Sequence, residues 1–315
     1  MRNSLRNFLR TIKYCGESSP LVYNFKTFSE NKYLRKLIKL IVTPYCFLKY
    51  FFVRDVPGRE GLALVLMIKN EAPYLEEWIN FHLKQGVSHI IILDNESTDN
   101  FLEVIAPYVA SGLVSCHKIK GRLPQAEAYN KATALYKNKF KYLGFIDADE
   151  FMFVRDKGGT KNLYEFLENF MKAHKNAGGL GVNWLVFGSS GHKTKQPGGV
   201  LKNFLMCSEK NFLPNHHIKT ICDPLKVLAW PNPHFPFFRR GFYNFDENGE
   251  IIDGLLSKEV HFEKIRINHY YSKSLEEFIA KKDKGNAVGV AIRDMEAFHG
   301  HDQNIIKDTE ILSRI

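Results

Sequence analysis

The sequence lacks the features that mark several large classes of protein. Its five cysteines, Cys15, Cys46, Cys116, Cys207 and Cys222, are odd in number and scattered, with no CxxC pair and no Cys/His cluster. That argues against a disulfide framework or structural zinc and fits a reducing compartment. No apolar run supplies the about twenty uninterrupted residues that a bilayer core requires. Leu34 to Val53, LRKLIKLIVTPYCFLKYFFV, comes nearest, but Lys36, Lys39 and Lys49 interrupt it and Pro44 breaks it. Neither this stretch nor the one before it carries the small-residue cleavage site of a signal peptide. Net charge is also small in the body of the chain. Residues 1–60 hold 12 Lys/Arg against 4 Asp/Glu, which leaves 32 against 30 of a formal net +10. A nucleic-acid binder would spread positive charge over its folded body, so no nucleic-acid partner is expected and an anionic membrane surface fits the N-terminus better.

What is present suits one large globular domain with appendages: 315 residues at 44% hydrophobic composition are ample for a buried core. Residues 1–14, MRNSLRNFLRTIKY, place Leu5, Phe8, Leu9 and Ile12 on one helical face and Arg2, Arg6, Arg10 and Lys13 around the rest, a basic amphipathic helix. Residues 1–60 therefore read as a helical N-terminal extension lying against the inner face of the cell membrane; the alternative is a pair of helices packed on the domain.

From residue 61 strands and helices alternate. Gly61 to Ile68, GLALVLMI, is a continuous apolar strand followed by Lys69, Asn70 and Glu71, with Asn70 placed to cap the next helix. Ser88 to Leu93 is a second buried strand ending in Asp94, and Ser97 or Asp99 is placed to cap a helix through Tyr108. Val114 to Ile119 is a third strand. This predicts an α/β fold with a doubly wound, mostly parallel, Rossmann-like sheet. Gly121 to Ala132 leads into a helix, and Arg122 in it is a candidate phosphate contact.

The chemistry gathers at Tyr142 to Phe153, YLGFIDADEFMF, where an apolar strand ends abruptly in Asp147, Ala148, Asp149 and Glu150. The carboxyl end of a strand is where open α/β sheets place ligands. Alternation in an extended segment would aim Asp147 and Asp149 the same way, toward one hard cation carrying a diphosphate.

Beyond Phe153 a helix is expected over Asn162 to His174 and a strand over Val182 to Phe187. Phe187 to His192, FGSSGH, is a glycine- and serine-rich loop beside Trp184. Cys207 to Arg240 is rich in His, Pro and aromatics and reads as a surface loop over the cleft. Ser274 and Glu277 form a capping box before a helix carrying Leu275, Phe278 and Ile279. His269 and Lys273 sit just before that helix, where an imidazole could complete a metal site and a lysine could meet phosphate; His234 competes with His269.

KNEAPYLEEW, FHLKQGVSHIIILDNESTDN, QAEAYNKA and FIDADEF resemble, in order and spacing, the glycosyltransferase family 2-like proteins with a GT-A fold. The similarity continues through WLVFGSSGH and NHYYSKSLEEFIAKKDKG, covering roughly Leu62 to Gly285. The resemblance implies a nucleotide-sugar donor, UDP-sugar first among them, with Mn²⁺ or Mg²⁺ held by Asp147 and Asp149 and completed by a late histidine. It also implies that Lys69, Asn70, Glu71 and Asp94 face the nucleoside. Sugars are held by aromatic faces and directed hydrogen bonds, so Trp184, Ser189, Ser190 and His192 are candidates for the acceptor. If configuration inverts, a carboxylate must deprotonate the acceptor hydroxyl. Glu150 is nearest in sequence, with Glu209 and Asp223 as others, and Glu150 could equally orient the metal acids.

The division expected is 1–60 as the extension, 61–290 as the transferase domain (61–153 for the nucleotide-sugar, 154–290 for the acceptor), and 291–315 as a tail. A basic, membrane-leaning transferase suggests a glycan or lipid-linked acceptor and bacterial lipopolysaccharide or surface polysaccharide assembly on the cytoplasmic side of the membrane. Two rivals differ in class. A nucleotidyltransferase of similar architecture usually has a glycine-rich basic loop by its first strand, which Lys69 to Glu71 is not. An inactive membrane-associated carbohydrate-binding scaffold would not need Asp94, Asp147 and Asp149 intact.

Overall fold

The computed structural model describes residues 53, 55–121, 125–155, 159–160, 162–283 and 294–315. The basic helix of residues 1–14, nearly all of Leu34 to Val53, and Arg122 lie outside the described residues.

The first half runs β1 (Leu62–Ile68), α1 (Ala72–Lys84), β2 (His89–Asp94), α2 (Phe101–Ala110), β3 (Val114–Lys118), α3 (Gln125–Tyr136), β4 (Tyr142–Phe145) and β5 (Glu150–Val154). The second runs α4 (Leu163–Ala173), β6 (Ala177–Val186), α5 (Val200–Asn203), β7 (Met206–Cys207), β8 (Ile218–Cys222), β9 (Val227–Ala229), β10 (Phe237–Phe238), β11 (Tyr243–Phe245), β12 (Ile251–Ile252), β13 (Ile265–His269), α6 (Leu275–Asp283), α7 (Met295–His301) and β14 (Ile306–Lys307). The main sheet is ordered β12-β11-β6-β8-β4-β1-β2-β3, and β13 joins β6 to β5. β3, β2, β1 and β4 are parallel neighbours, and β8 enters antiparallel to both β4 and β6. The doubly wound, mostly parallel α/β expectation holds.

Strand alternation explains the layers. Leu62, Leu64 and Leu66 face one side with Leu75, Trp78 and Ile79 of α1 and Leu163 and Leu167 of α4. Ala63 and Val65 face the other with Ala128, Tyr129 and Ala132 of α3. β1 and β2 are buried along almost their whole length, which is why they read as unbroken apolar runs.

Several boundaries and caps differ from expectation. β6 begins five residues earlier than Val182, at Ala177, because Gly178, Gly179 and Gly181 give no hydrophobic signal. Those glycines admit neighbours: a Cβ on Gly179 would meet the Ile221 carbonyl at 2.9 Å. Asn70 does not cap α1, since its backbone turns to φ +56°. Its Oδ1 instead accepts the Thr98 N–H at 2.6 Å, while Asp99 Oδ2 accepts the Ala72 N–H at 2.8 Å. The two βα turns cap each other.

The segment from Cys207 to Arg240 is not simply a surface loop; it supplies β8, buried throughout its length, to the centre of the sheet. Residues 294–315 also pack inward. Asp302 and Asn304 accept the N–H groups of Ser189 and Ser190 at 2.6 and 2.7 Å, and Ile311 is fully buried.

Candidate active site

The link between β4 and β5 is a tight turn, closed by the Glu150 N–H donating to the Asp147 carbonyl at 3.1 Å. Trp78 of α1 fixes it from below, its indole N–H donating to the carbonyls of Glu150 at 2.8 Å and Asp147 at 3.2 Å. The segment expected to run extended between the two aspartates is therefore a turn. The backbone turns between them, and the two carboxylates take different partners.

Asp147 goes toward β8 and α3. Its Oδ2 accepts from Lys219 Nζ at 2.7 Å and its Oδ1 from Gln125 Nε2 at 2.7 Å. Lys219 is fully buried on β8. The antiparallel register Leu143↔Cys222 and Gly144↔Ile221, carried two residues further, sets Lys219 beside Ile146 and so within reach of Asp147. Burial works to raise the Asp147 carboxyl, but Lys219 outweighs it and holds Asp147 below the usual carboxylate range. Burial likewise works to lower Lys219, and Asp147 with Glu150 holds it above the usual lysine range.

Glu150 lies beneath the turn with no exposed surface. Its Oε2 accepts the Asp147 N–H at 2.8 Å. Its Oε1 has no hydrogen-bond partner and is 3.7 Å from Lys219 Nζ. Burial, and after it the charges of Asp147 and Asp149 against Lys219, pushes the carboxyl up to about 8. Of the two roles open to Glu150 in the sequence, this placement is that of a support for the turn. Asp223 pairs with Arg59 at 2.8 Å, and Glu209 is exposed.

Asp149 goes the other way. Its Oδ2 pairs with Lys281 of α6, and its Oδ1 faces His269 Nε2 at 3.8 Å, too long for a hydrogen bond. His269 ends β13 opposite Glu150, and its ring lies 4.2 Å from that of Trp184. Its Nδ1 is buried without a partner, and burial brings the imidazole down to about 3 despite Asp149. Burial works to raise Asp149, but Lys281 outweighs it and holds the carboxyl below the usual carboxylate range. His234 bonds the Ile218 carbonyl through Nδ1 at 3.0 Å and feels Lys219 and Asp147 rather than Asp149.

Beside Lys281, the partner of Asp149, is a cavity of about 200 Å³ lined by Glu71, Tyr74, Lys195, Ser272, Lys273 and Lys281, among others. Lys273 is buried, in a left-handed backbone conformation of φ +51°, its ammonium 3.9 Å from the centre of the Tyr74 ring. Burial, then Lys281, lowers its pKa. The capping box behind it is present: Glu277 Oε2 accepts from Ser274 Oγ at 2.6 Å, and Ser274 Oγ accepts the Glu277 N–H at 3.3 Å.

The remaining sequence candidates divide. At the end of β1, Lys69 and Glu71 are both half-buried, and Glu71 lines the cavity. Asp94 is buried at the end of β2 and accepts the Ser97 N–H at 2.9 Å. Trp184 joins the site, stacked 5.0 Å from His217. Ser189, Ser190 and His192 are turned to structural work: the two hydroxyls accept backbone N–H groups of Gly191 at 3.1 Å and of Leu205 at 2.9 Å, and His192 bonds the Asn203 carbonyl at 3.2 Å. Sequence reasoning missed Gln125, Lys219 and Lys281. A signal existed for Lys219, a lone lysine within the strand-like HIKTIC.

The profile of glycosyltransferase family 92 matches residues 67–301, from β1 to α7. The chain belongs to glycosyltransferase family 92. The family 2-like resemblance is thereby borne out in its coarser part, that the chain is a member of a family of sugar transferases, with family 92 as the family shown. A family 92 protein of Ricinus communis is 28% identical over 174 residues, 53% of this chain and 30% of the relative. One of Arabidopsis thaliana is 29% identical over 171 residues, 53% and 29% of the two chains. One of Oryza sativa subsp. japonica is 31% identical over 138 residues, 44% and 23%. The chain thus aligns with less than a third of the length of these curated relatives.

They are plant proteins, which overturns the expected placement on the cytoplasmic face of a bacterial membrane. Basic amphipathic charge reports attraction to anionic surfaces and does not specify a compartment. The lipopolysaccharide role rests on that placement and loses its support with it. Among the described residues no helix is long and apolar enough to cross a membrane.

Among solved structures, S. aureus TarS in complex with UDP is 16% identical with a TM-score of 0.35, over 52% of this chain and 47% of TarS. Glucosyl-3-phosphoglycerate synthase from Mycobacterium tuberculosis, in complex with Mn²⁺, UDP-glucose and phosphoglyceric acid, is 20% identical with a TM-score of 0.28, over 40% and 44%. Likeness at these scores carries no argument about the site.

Proposed function

We propose that this family 92 protein transfers a sugar from a UDP-sugar to a hydroxyl of a glycan or lipid-linked acceptor, with a divalent cation bound beside Asp149. The observation that carries the reading is the meeting, at one edge of the sheet, of Asp149, His269, Lys273 and Lys281, which the chain supplies from two stretches more than a hundred residues apart. Their chemistry suits a diphosphate and its counter-ion.

The fit to Mn²⁺ or Mg²⁺ rests on Asp149 Oδ1 and His269 Nε2, which face each other at 3.8 Å without a hydrogen bond. A carboxylate oxygen and a neutral imidazole are suitable donors. Among the described residues no three such side chains cluster, so phosphate and water oxygens would complete the coordination. The bound cation would supply Lewis-acid stabilisation of the departing nucleoside diphosphate.

The chain's own residues do the rest. Lys273 and Lys281 bring positive charge to the cleft. Tyr74 holds Lys273 against its ring and donates its hydroxyl to Glu277 Oε1 at 2.8 Å, tying α1 to α6 across the cleft. Lys69, Asn70, Glu71 and Asp94, at the ends of β1 and β2, are positioned for the nucleoside, and Trp184 for the acceptor sugar.

The test is calorimetric titration of the full chain with UDP, with and without Mn²⁺, beside an Asp149→Ala variant. Expected is Mn²⁺-dependent UDP binding that the variant loses. Binding of UDP that ignores both Mn²⁺ and the substitution would sink the metal assignment, and no binding at all would sink the UDP-sugar reading.

A further inference from the structure

We infer that Lys219 is a built-in cation that holds Asp147 out of the coordination sphere of the divalent metal, leaving Asp149 as the one aspartate of the pair to bind it. The inference rests on the metal-dependent reading above and assigns Lys219 as a positioning residue for that site.

Three observations converge on it. Both Asp147 oxygens are engaged, one by Lys219 and one by Gln125, each at 2.7 Å. The Lys219 side chain has no exposed surface, and β8 is hydrogen-bonded on both sides, to β4 and β6, so the ammonium cannot swing out to water. A buried ammonium must keep a carboxylate partner, and the other one near it, Glu150, stands 3.7 Å off. Finally, the turn gives Asp149 other neighbours: its Oδ1 faces His269 Nε2 at 3.8 Å, and the lysine on its Oδ2, Lys281 in the last turn of α6, keeps 15% of its side chain exposed, so that unlike Lys219 it has a path to water. A divalent cation on Asp147 Oδ2 would sit against the fixed positive charge of Lys219, whose side chain has no exposed surface. The cation is thereby directed to Asp149.

The consequence is unusual for a residue beside a metal: removing Lys219 should improve metal binding. Mn²⁺ alone is titrated into the full chain, with free Mn²⁺ read by electron paramagnetic resonance. Wild type is compared with Asp149→Ala, Asp147→Asn, Lys219→Met and the Lys219→Met/Asp147→Asn double variant. Expected are loss of binding in Asp149→Ala and a change within about threefold in Asp147→Asn. Lys219→Met should bind about tenfold tighter, with the gain abolished in the double variant, the size expected of a neighbour that tunes a metal ligand.

A folded Lys219→Met protein with wild-type Mn²⁺ affinity overturns the inference while leaving the proposed function standing. So does an Asp147→Asn protein that binds about tenfold more weakly; that comparison keeps the native lysine and decides the matter if Lys219→Met does not fold. Binding acquired by Lys219→Met where wild type has none upholds the inference. No Mn²⁺ binding by either protein overturns it together with the metal assignment.

Discussion

Glu150 shows how a side chain's surroundings restrict its role. The carboxylate nearest the two aspartates in sequence is the obvious choice for a base, yet its fully buried position and its bond to the Asp147 N–H make it a brace for the turn. A glutamine keeps that acceptor and nearly the same shape. Glu150→Gln is therefore expected to lower kcat by less than about tenfold, against the about 10²- to 10⁴-fold loss that removal of a general base produces. Steady-state rates with a UDP-sugar donor decide between them. Trp78 belongs to the same scale. Its single indole N–H reaches two carbonyls of the turn, something an α1 pattern of apolar residues could not announce, because the same tryptophan would read as core wherever it pointed.

At the scale of elements, α6 brings Lys281 to Asp149, and its cap determines how firmly. Ser274 and Glu277 were legible as a capping box from their spacing alone, since the motif is local. That the helix carries a lysine to the carboxylate was not legible, because it depends on where β13 ends. Ser274→Ala is expected to cost about 1 kcal/mol of stability and, by loosening the approach of Lys273 and Lys281, to raise the donor KM more than it lowers kcat. Denaturant unfolding and kinetics on the same preparation check the two halves; an unchanged KM would detach the cap from the site. The βα turns teach a similar lesson. Asn70 and Asp99 are both good capping residues, but each serves the neighbouring turn, an exchange between β1 and β2 that appears only once the strands lie side by side.

For the whole molecule, buried neutral imidazoles set the response to acid. His82 is fully buried, bonded through Nδ1 to the Trp78 carbonyl at 2.9 Å and accepting the Met152 N–H at Nε2 at 3.2 Å. Burial holds it down to about 3, and His234 and His269 are lowered to similar values. An unfolded histidine titrates near about 6.5, so between those pH values the unfolded chain binds more protons than the folded one. The stability that neutral His82 permits is whole above about pH 6.5 and is lost as pH falls toward 3, at up to about 1.4 kcal/mol per pH unit for each imidazole. Thermal midpoints from pH 7.5 to 4.5 should fall, and His82→Gln, which cannot take up the proton, should fall less steeply. Equal slopes for the two proteins would remove His82 from the account.

The sequence by itself determined the alternating α/β order, the buried strands β1, β2 and β4, the capping box, and the run of acids Asp147 to Glu150 that ends a strand. These are local properties: periodicity, apolar runs and acids ending a strand are written within a few residues. Only the tertiary structure decided which group each acid faces. β8 lies between β4 and β6 through pairings across more than thirty residues of intervening chain, and it is this pairing that delivers Lys219 to Asp147. β13 and α6 deliver His269 and Lys281 to Asp149 in the same way. A carboxylate's partners are fixed by strand register and helix docking, which no single stretch of the chain contains.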